Sequence, residues 1–227
     1  MENIEQYGRF KDAVWFNKNT SETVLVGGAG GIGSWLTFFL SRAGFNPFVY
    51  DFDKIETHNL GGQLFRTQDV NKYKVTALDQ IIKEYCGNEI NTSKNAINLQ
   101  SPTHHFIFSA FDNMKARKDL FNVWKKSLNL PIQSIFIDGR LTLEQIQIFC
   151  VTKDNMDKYE KEYLFDDADV PDAPCTLKQT SHSAAMIASL MLSFFTNHIG
   201  NIYERNNSRY VPFFYEFYIP LVQTDIL

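Results

Sequence analysis

Gly28-x-Gly30-x-x-Gly33 falls between a β-branched apolar run, Thr23-Val-Leu-Val26, and a segment carrying Trp35, Leu36, Phe38, Phe39 and Leu40 on a helical face. A glycine turn in that setting presents backbone N–H groups at the positive end of a helix, where a phosphate is stabilised. Asp51 lies about eighteen residues past Gly33, closing a second apolar run, Pro47-Phe-Val-Tyr50. A carboxylate at a strand end can accept hydrogen bonds from the hydroxyls of a ribose. The chemistry these residues suit is nucleotide binding. The plainer role for the glycines is close packing of a helix on a strand.

An NAD(P) oxidoreductase needs only these first residues, and it leaves the polar stretch that follows unexplained. That stretch carries Asp51-Phe-Asp53, Asn59-Leu-Gly-Gly-Gln63, Phe65-Arg66 and Lys74, and a later apolar run leads into Asp112-Asn113 with Arg117. In this order the residues resemble the ThiF/MoeB family of adenylyltransferases, whose fold is shared by ubiquitin-activating enzymes. There the glycine motif is followed by Asp-x-Asp, an Asn-Leu-x-Arg-Gln segment, a lysine about a dozen residues on, and Asp-Asn-x-x-x-Arg after a later strand. The resemblance covers roughly residues 22–195, and the ordered set is more specific than any one motif.

What the resemblance implies is an ATP-dependent enzyme using Mg²⁺. In those terms Gly28, Gly30, Gly33, Asp51, Asp53, Asn59, Gln63, Lys74 and Asn113 bind the nucleotide. Lys74 meets phosphate oxygens, Asp51 fixes the ribose, Asn59 and Gln63 bond the triphosphate or the metal's waters, and Asp112 holds Mg²⁺. Taken singly, Lys74 is a solvated helix lysine, Asp112 an N-cap and Arg117 a surface ion-pair partner. One position departs from the family: Gly62 stands where an arginine precedes the glutamine, and Arg66 is the nearest cation to stabilise transition-state charge in its place.

Pro174-Cys-Thr-Leu-Lys-Gln179 resembles the segment around the thioester-forming cysteine of several ubiquitin-activating-type proteins. Cys175, just before a helix start and near Lys178 and His182, has a setting that favours its thiolate and suits it to take an acyl group; its plainer role is a small packing residue in a linker. Cys86, at a helix end, and Cys150, within an apolar strand, read as structural. Asp138-Gly-Arg140 reads as a turn with an ion pair, or as a place where Arg140 faces a substrate carboxylate.

These residues need a scaffold of alternating strands and helices. Strand, turn, helix and strand over the first 51 residues make a βαβ unit, with Gly44 as the helix stop. A helix follows over 70–86, ending before Gly87, then a weak strand over 90–97 and a buried strand over 105–110. The helix opened by Asp112 runs to about Leu128; strands follow over 132–137 and 145–151. Lys153 to Pro174 holds eight acidic residues against three lysines and reads as a solvated acidic crossover loop over 152–174. Thr180 to Phe195 is a capped core helix, and Tyr210 to Leu227 favours strand. The expected fold is α/β: a Rossmann-like, doubly wound, mostly parallel sheet with helices on both faces and a mixed or antiparallel C-terminal extension, in one domain over 1–227.

Composition bounds the function. With 44% hydrophobic residues and 20 Phe the chain can bury enough apolar surface to fold, and a net charge of −4 gives no global basic footprint for nucleic acid. Three cysteines make no disulfide framework, Met1 to Asn19 lacks the form of a secretory signal, and the apolar run Ala184 to Phe195 is too short to span a bilayer. The expectation is a cytoplasmic protein acting away from membranes. By resemblance it is a homodimer whose partner is the C-terminal carboxylate of a ubiquitin-like or sulfur-carrier protein. The alternative is a non-catalytic nucleotide-binding or scaffold protein, motivated by Gly62 and by the lack of a separate cysteine domain in this length.

Overall fold

The computed structural model describes residues 6–16, 23–126, 134–142, 144–165, 180–204, 206 and 208–227. The β-branched run forms β1 (Thr23–Gly27), in which Val24, Leu25 and Val26 are fully buried. Helix α1 (Gly31–Arg42) follows, then β2 (Asn46–Tyr50), α2 (Lys74–Cys86), β3 (Asn91–Ser93), β4 (Phe106–Ser109) and α3 (Met114–Lys125). The second half contributes β5 (Ile135–Thr142), β6 (Gln145–Val151), α4 (Met156–Tyr163), α5 (Ser181–Tyr203), β7 (Phe214–Tyr218) and β8 (Gln223–Ile226). Gly44 (φ +86°) and Gly87 (φ +72°) both take the left-handed conformation after their helices, as a stop glycine does.

One sheet holds all eight strands in the order β3-β2-β1-β4-β5-β6-β7-β8. The pairs from β3 to β5 are parallel, and those from β5 to β8 antiparallel. Both faces are covered, so the central strands read as near-continuous apolar runs. Alternate residues face opposite ways. Val24, Val26, Phe106, Phe108, Ile135 and Ile137 meet α1, α2 and α5, whereas Leu25, Ile107 and Phe136 meet α3 and α4. The expected doubly wound fold with its antiparallel C-terminal extension is what forms.

On the first face α5 packs along α1 and beneath β5 and β6. Phe195 lies between Phe45 and the strand residues Phe106 and Phe108, with ring centroids 5.1–5.2 Å apart. Truncating a buried phenylalanine of this kind costs about 3–5 kcal/mol. Thr180 and Ser183 close a capping box at its start. The helix runs past the expected end at Phe195 to Tyr203, carrying buried His198 and Ile199 with it.

Two sequence expectations change. Part of the acidic segment, Met156–Tyr163, is helix rather than loop. Its charges stay in solvent while Tyr159 is fully buried and Met156 and Tyr163 pack beside it, spacings of three and four that bring them onto one side. Asp157 in the first turn and Lys161 in the last suit the helix dipole. Asp138-Gly-Arg140 is no turn: all three residues continue β5, paired to β6 at Phe149, Ile148 and Gln147. A Cβ on Gly139 would collide with the Met191 sulfur of α5, so close approach of helix to strand is the reason for glycine there.

Among the described residues no helix is long and apolar enough to cross a membrane.

Candidate active site

The parallel strands end together. Gly27, Tyr50 and Ser109 close β1, β2 and β4, and the loops that leave them are stitched by main-chain bonds: Gly28 N–H to Tyr50 O (2.9 Å), Ala110 N–H to Gly27 O (2.8 Å) and Asp51 N–H to Ser93 O (3.1 Å). Ligands of open α/β sheets bind outside these carboxyl ends, beside a point where connections leave in opposite directions; here β1 has β2 on one side and β4 on the other.

The three glycines have three different reasons. Gly28 sits at φ +93° against the Ala110 carbonyl, a conformation L side chains rarely adopt. A Cβ on Gly33 would run into the Gly28 carbonyl oxygen, so that glycine is close packing. Gly30, the N-cap of α1, has nothing among the described residues within 4 Å of the place a Cβ would take. Conformation explains Gly28 and packing explains Gly33; at Gly30 the described residues leave open space over a helix N-terminus, the kind of place that can hold a phosphate group.

Asp51 ties this loop to the β2 exit. Its Oδ2 accepts from Ala29 N–H (2.7 Å) and its Oδ1 from Asp53 N–H (2.8 Å). Burial raises its pKa above the ordinary carboxylate value, against the opposing pull of Lys74 and those two amides. Lys74 opens α2 with its ammonium 2.8 Å from Asp53 and its side chain only 10% exposed. A main-chain bond from Lys74 to Asp53 O (2.9 Å) and a bridge between Lys54 and Tyr73 zip the loop after β2 to the start of α2. The sequence-expected Asp51, Asp53 and Lys74 therefore form one contiguous charged cluster beside the glycine turn.

Asn59 spends its oxygen on Glu56 N–H (2.8 Å), closing a short 3₁₀ turn over Thr57–Gly61; what it has left for a ligand is the amide N–H₂. Gln63 Oε1 is buried with no partner among the described residues, an acceptor suited to a metal-bound water. Its loop is fixed to α1 by Leu64 N–H to Ser34 Oγ (3.0 Å) and by Trp35 Nε1–H to Gly62 O (3.2 Å). Arg66 is committed elsewhere. Its guanidinium forks onto Asp69 (2.8 and 3.2 Å) and pairs with Glu84. Burial disfavours charge on Asp69, but Arg66 and Lys72 outweigh it and hold its carboxyl below the usual range.

After β4, Asn113 rather than Asp112 caps α3, accepting from Ala116 N–H (2.8 Å). The plainer role for Asp112 thus falls to its neighbour. Asp112 is exposed, and Asn113 Nδ2 donates to its Oδ1 (3.2 Å). No set of three His, Cys, Asp or Glu side chains that could hold a metal occurs among the described residues. A single carboxylate beside a polyphosphate is the manner in which Mg²⁺ is usually held, so Asp112, the open space over Gly30 and the orphaned Gln63 acceptor fit a Mg²⁺-nucleotide.

Beneath the Asp112 loop lies a buried polar cluster, of which the sequence suggests only an ion pair at Asp138 and Arg140. Asp138, fully buried in β5, accepts from Arg117 on Oδ1 and from Arg140 Nε (2.7 Å) and Tyr159 O–H (2.9 Å) on Oδ2. Burial opposes its charge, but Arg117 and Arg140 outweigh that and lower its pKa. Burial pushes the Tyr159 hydroxyl well up, and Asp138 adds to the effect. Arg117, whose sequence position allowed a surface ion pair, is instead buried. Cys175, Lys178 and the second half of the acidic segment lie outside the described residues; Cys86 and Cys150 are both buried.

Comparison with known proteins bears on the fold and the family. Crystal structures of Escherichia coli MccB with ATP and of PaaA superpose with TM-scores of 0.72 and 0.73 at 17% and 18% identity, covering 99% and 100% of this chain and 71% and 73% of those chains. In sequence, the chain is 33% identical over 133 residues to the adenylyltransferase and sulfurtransferase MOCS3 of Anopheles gambiae, spanning 53% of this chain and 30% of that protein. It is 32% identical over 114 residues to tRNA threonylcarbamoyladenosine dehydratase 2 of Saccharomyces cerevisiae, 45% of this chain and 26% of that one. The chain thus spans less than a third of these curated relatives. The ThiF family model matches residues 9–222, nearly the whole length, and the chain belongs to the ThiF family.

Proposed function

We propose that this protein is an ATP-dependent adenylyltransferase. It activates a C-terminal carboxylate, of a ubiquitin-like or sulfur-carrier protein or of a peptide. The carrying observation is the open space that the described residues leave over Gly30 at the α1 N-terminus, on a turn braced by the Asp51 carboxylate, with Lys74 paired to Asp53 two residues beyond Asp51. Backbone amides and Lys74 bind the phosphates, and Asp51 fixes the ribose; orienting a polyphosphate is most of what phosphoryl-centre chemistry asks of a protein. A carboxylate oxygen attacks the α-phosphorus, the bond to the β-phosphate oxygen breaks, and pyrophosphate leaves with the electron pair. Asp112 would hold Mg²⁺, which when bound neutralises charge on the phosphate oxygens.

Passage of the acyl group to Cys175 as a thioester, a homodimeric assembly and a reducing cytoplasmic setting belong to the same proposal. A second reading has its own support: Gly62 replaces the family arginine and Arg66 is bound by Asp69 and Glu84, which favours a protein that binds nucleotide without turning it over.

Calorimetric titration with Mg-ATP and, separately, NAD⁺ tests the binding half. Mg-ATP saturates, weakening at least tenfold in Lys74→Ala and Asp112→Ala, and NAD⁺ gives no heat; no ATP binding by the wild type overturns the proposal. Pyrophosphate release in the presence of a peptide ending in a free carboxylate separates the two readings, since the non-catalytic protein releases none. An acyl adduct by intact mass that is lost in Cys175→Ser, but kept in Cys86→Ser and Cys150→Ser, supports the thiol step; an adduct that survives Cys175→Ser removes it.

A further inference from the structure

The buried cluster around Asp138 is anchored to main chain at three separated places. Arg117 donates to the Phe111 carbonyl, the residue before Asp112, and to Gly139 O (3.2 Å). Arg140 donates to Tyr163 O (2.9 Å), the last residue of α4, and to the Tyr159 hydroxyl (3.4 Å). The Arg140 guanidinium also lies 4.6 Å from the Phe149 ring centroid and 5.7 Å from that of Phe165, just beyond α4. Two guanidinium groups thus share one carboxylate, and their remaining donors end on carbonyl oxygens of two segments far apart in sequence. Asp138 itself pairs with Ser109 across the sheet, at the last residue of β4, so its height is fixed where the site loop departs.

A buried ion cluster is a poor way to gain stability, because desolvation offsets most of its attraction. It is a good way to fix geometry. Among the described residues Asp138 is the one carboxylate paired with either arginine, and α4 has one fully buried residue, Tyr159, whose hydroxyl also ends on Asp138. Remove that carboxylate and the charged restraints on both segments lose their common point.

We propose that Asp138 is a positioning residue that locks the Asp112 loop and the C-terminal end of α4 to each other, through Arg117 on one side and Arg140 with Tyr159 on the other. The coupling stands on the contacts alone. Its consequence for chemistry rests on the adenylation reading: the loop carrying the metal-holding carboxylate is in place only while α4 is docked.

Amide hydrogen exchange on the full chain tests the coupling without any ligand. Tyr159→Phe removes one oxygen from α4 and nothing from the site loop, so it keeps the fold testable even where Asp138→Asn does not fold. Expected is exchange faster by several-fold at residues 156–164 and also at Ala110–Met114, with α1 and α2 unchanged. Asp138→Asn gives the same pattern, at least tenfold in both segments. No change at Ala110–Met114 in Tyr159→Phe, or a rise throughout the chain in step with a fallen Tm, overturns the proposal. The catalytic half is read as the Mg²⁺ concentration that half-saturates ATP binding, expected to rise at least fivefold in Tyr159→Phe while metal-free AMP affinity stays as in the wild type. An unchanged Mg²⁺ requirement beside faster exchange overturns that half. Failure of the wild type to bind AMP or ATP instead sinks the adenylation reading and leaves the exchange result to decide the coupling.

Discussion

Gly30→Ala should separate binding from folding at the glycine turn. Among the described residues nothing lies within 4 Å of the added methyl, so no neighbouring atom has to move for it. Alanine in place of an N-cap glycine costs up to about 1 kcal/mol. That is at most about 2–4 °C in Tm for a chain of this size. If a phosphate occupies that space, the methyl displaces it from the α1 amides. Loss of one charge-assisted hydrogen bond, about 1.5–3 kcal/mol, weakens Mg-ATP about 10- to 150-fold. Gly33→Ala is the counterpart, since its methyl meets the Gly28 carbonyl and the fold itself must yield. Scanning calorimetry paired with isothermal titration reads both. A Gly30→Ala protein with wild-type Tm and ATP affinity within twofold of wild type would refute the placement of the phosphate.

Acid should destabilise the protein through Asp138 and Asp69, both held below the usual carboxylate range. Their stabilisation is complete above the unfolded value of about 3.9 and is lost as pH falls through the lower folded values, so Tm drops below about pH 4 and Asp138→Asn flattens that limb; an identical pH profile in the variant contradicts this. Asp51 has the opposite sign: its raised value contributes stability at low pH that disappears as pH rises through the folded value, so Asp51→Asn should remove that loss, and a Tm profile unchanged in the variant would count against it. Cys86 and Cys150 are each 2% exposed, and burial pushes both thiols up, so neither should react with iodoacetamide at pH 8 until denaturant is added; native-state labelling of Cys150 would contradict its burial. Val222, 79% exposed at the β7–β8 turn with φ +51°, should gain about 1 kcal/mol on replacement by glycine, read as a rise in Tm; a fall would mean that its side chain has a contact partner.

Much of the scaffold was legible in the sequence because local signals agreed: β-branched runs, helical apolar spacing, and stop glycines at Gly44 and Gly87 all pointed the same way. Gly28, Asp51 and Asp53 were legible because they lie just past strand ends, whereas Lys74 opens α2 and meets Asp53 only through the fold. What escaped was decided by distant contacts. Asp-Gly is a turn signal, and it is the pairing of Asp138, Gly139 and Arg140 with Phe149, Ile148 and Gln147 of β6 that makes the stretch a strand, with Met191 packed on Gly139. The α4 pattern of Met156, Tyr159 and Tyr163 was hidden by its charges. Arg66 looked available because the sequence does not reveal that Asp69 and Glu84 both reach it.

The packing of α5 on α1 has a consequence for how the chain matures. Leu36, Leu40 and Phe45 belong to the first fifth of the sequence, yet the helix that covers their side of the sheet, and Phe195 in particular, comes near its end. At about 5–20 residues per second of synthesis, that surface waits roughly seven to thirty seconds for its cover. Truncations that stop short of Ser181 should therefore leave that apolar surface bare and sediment as aggregates, where the full chain does not.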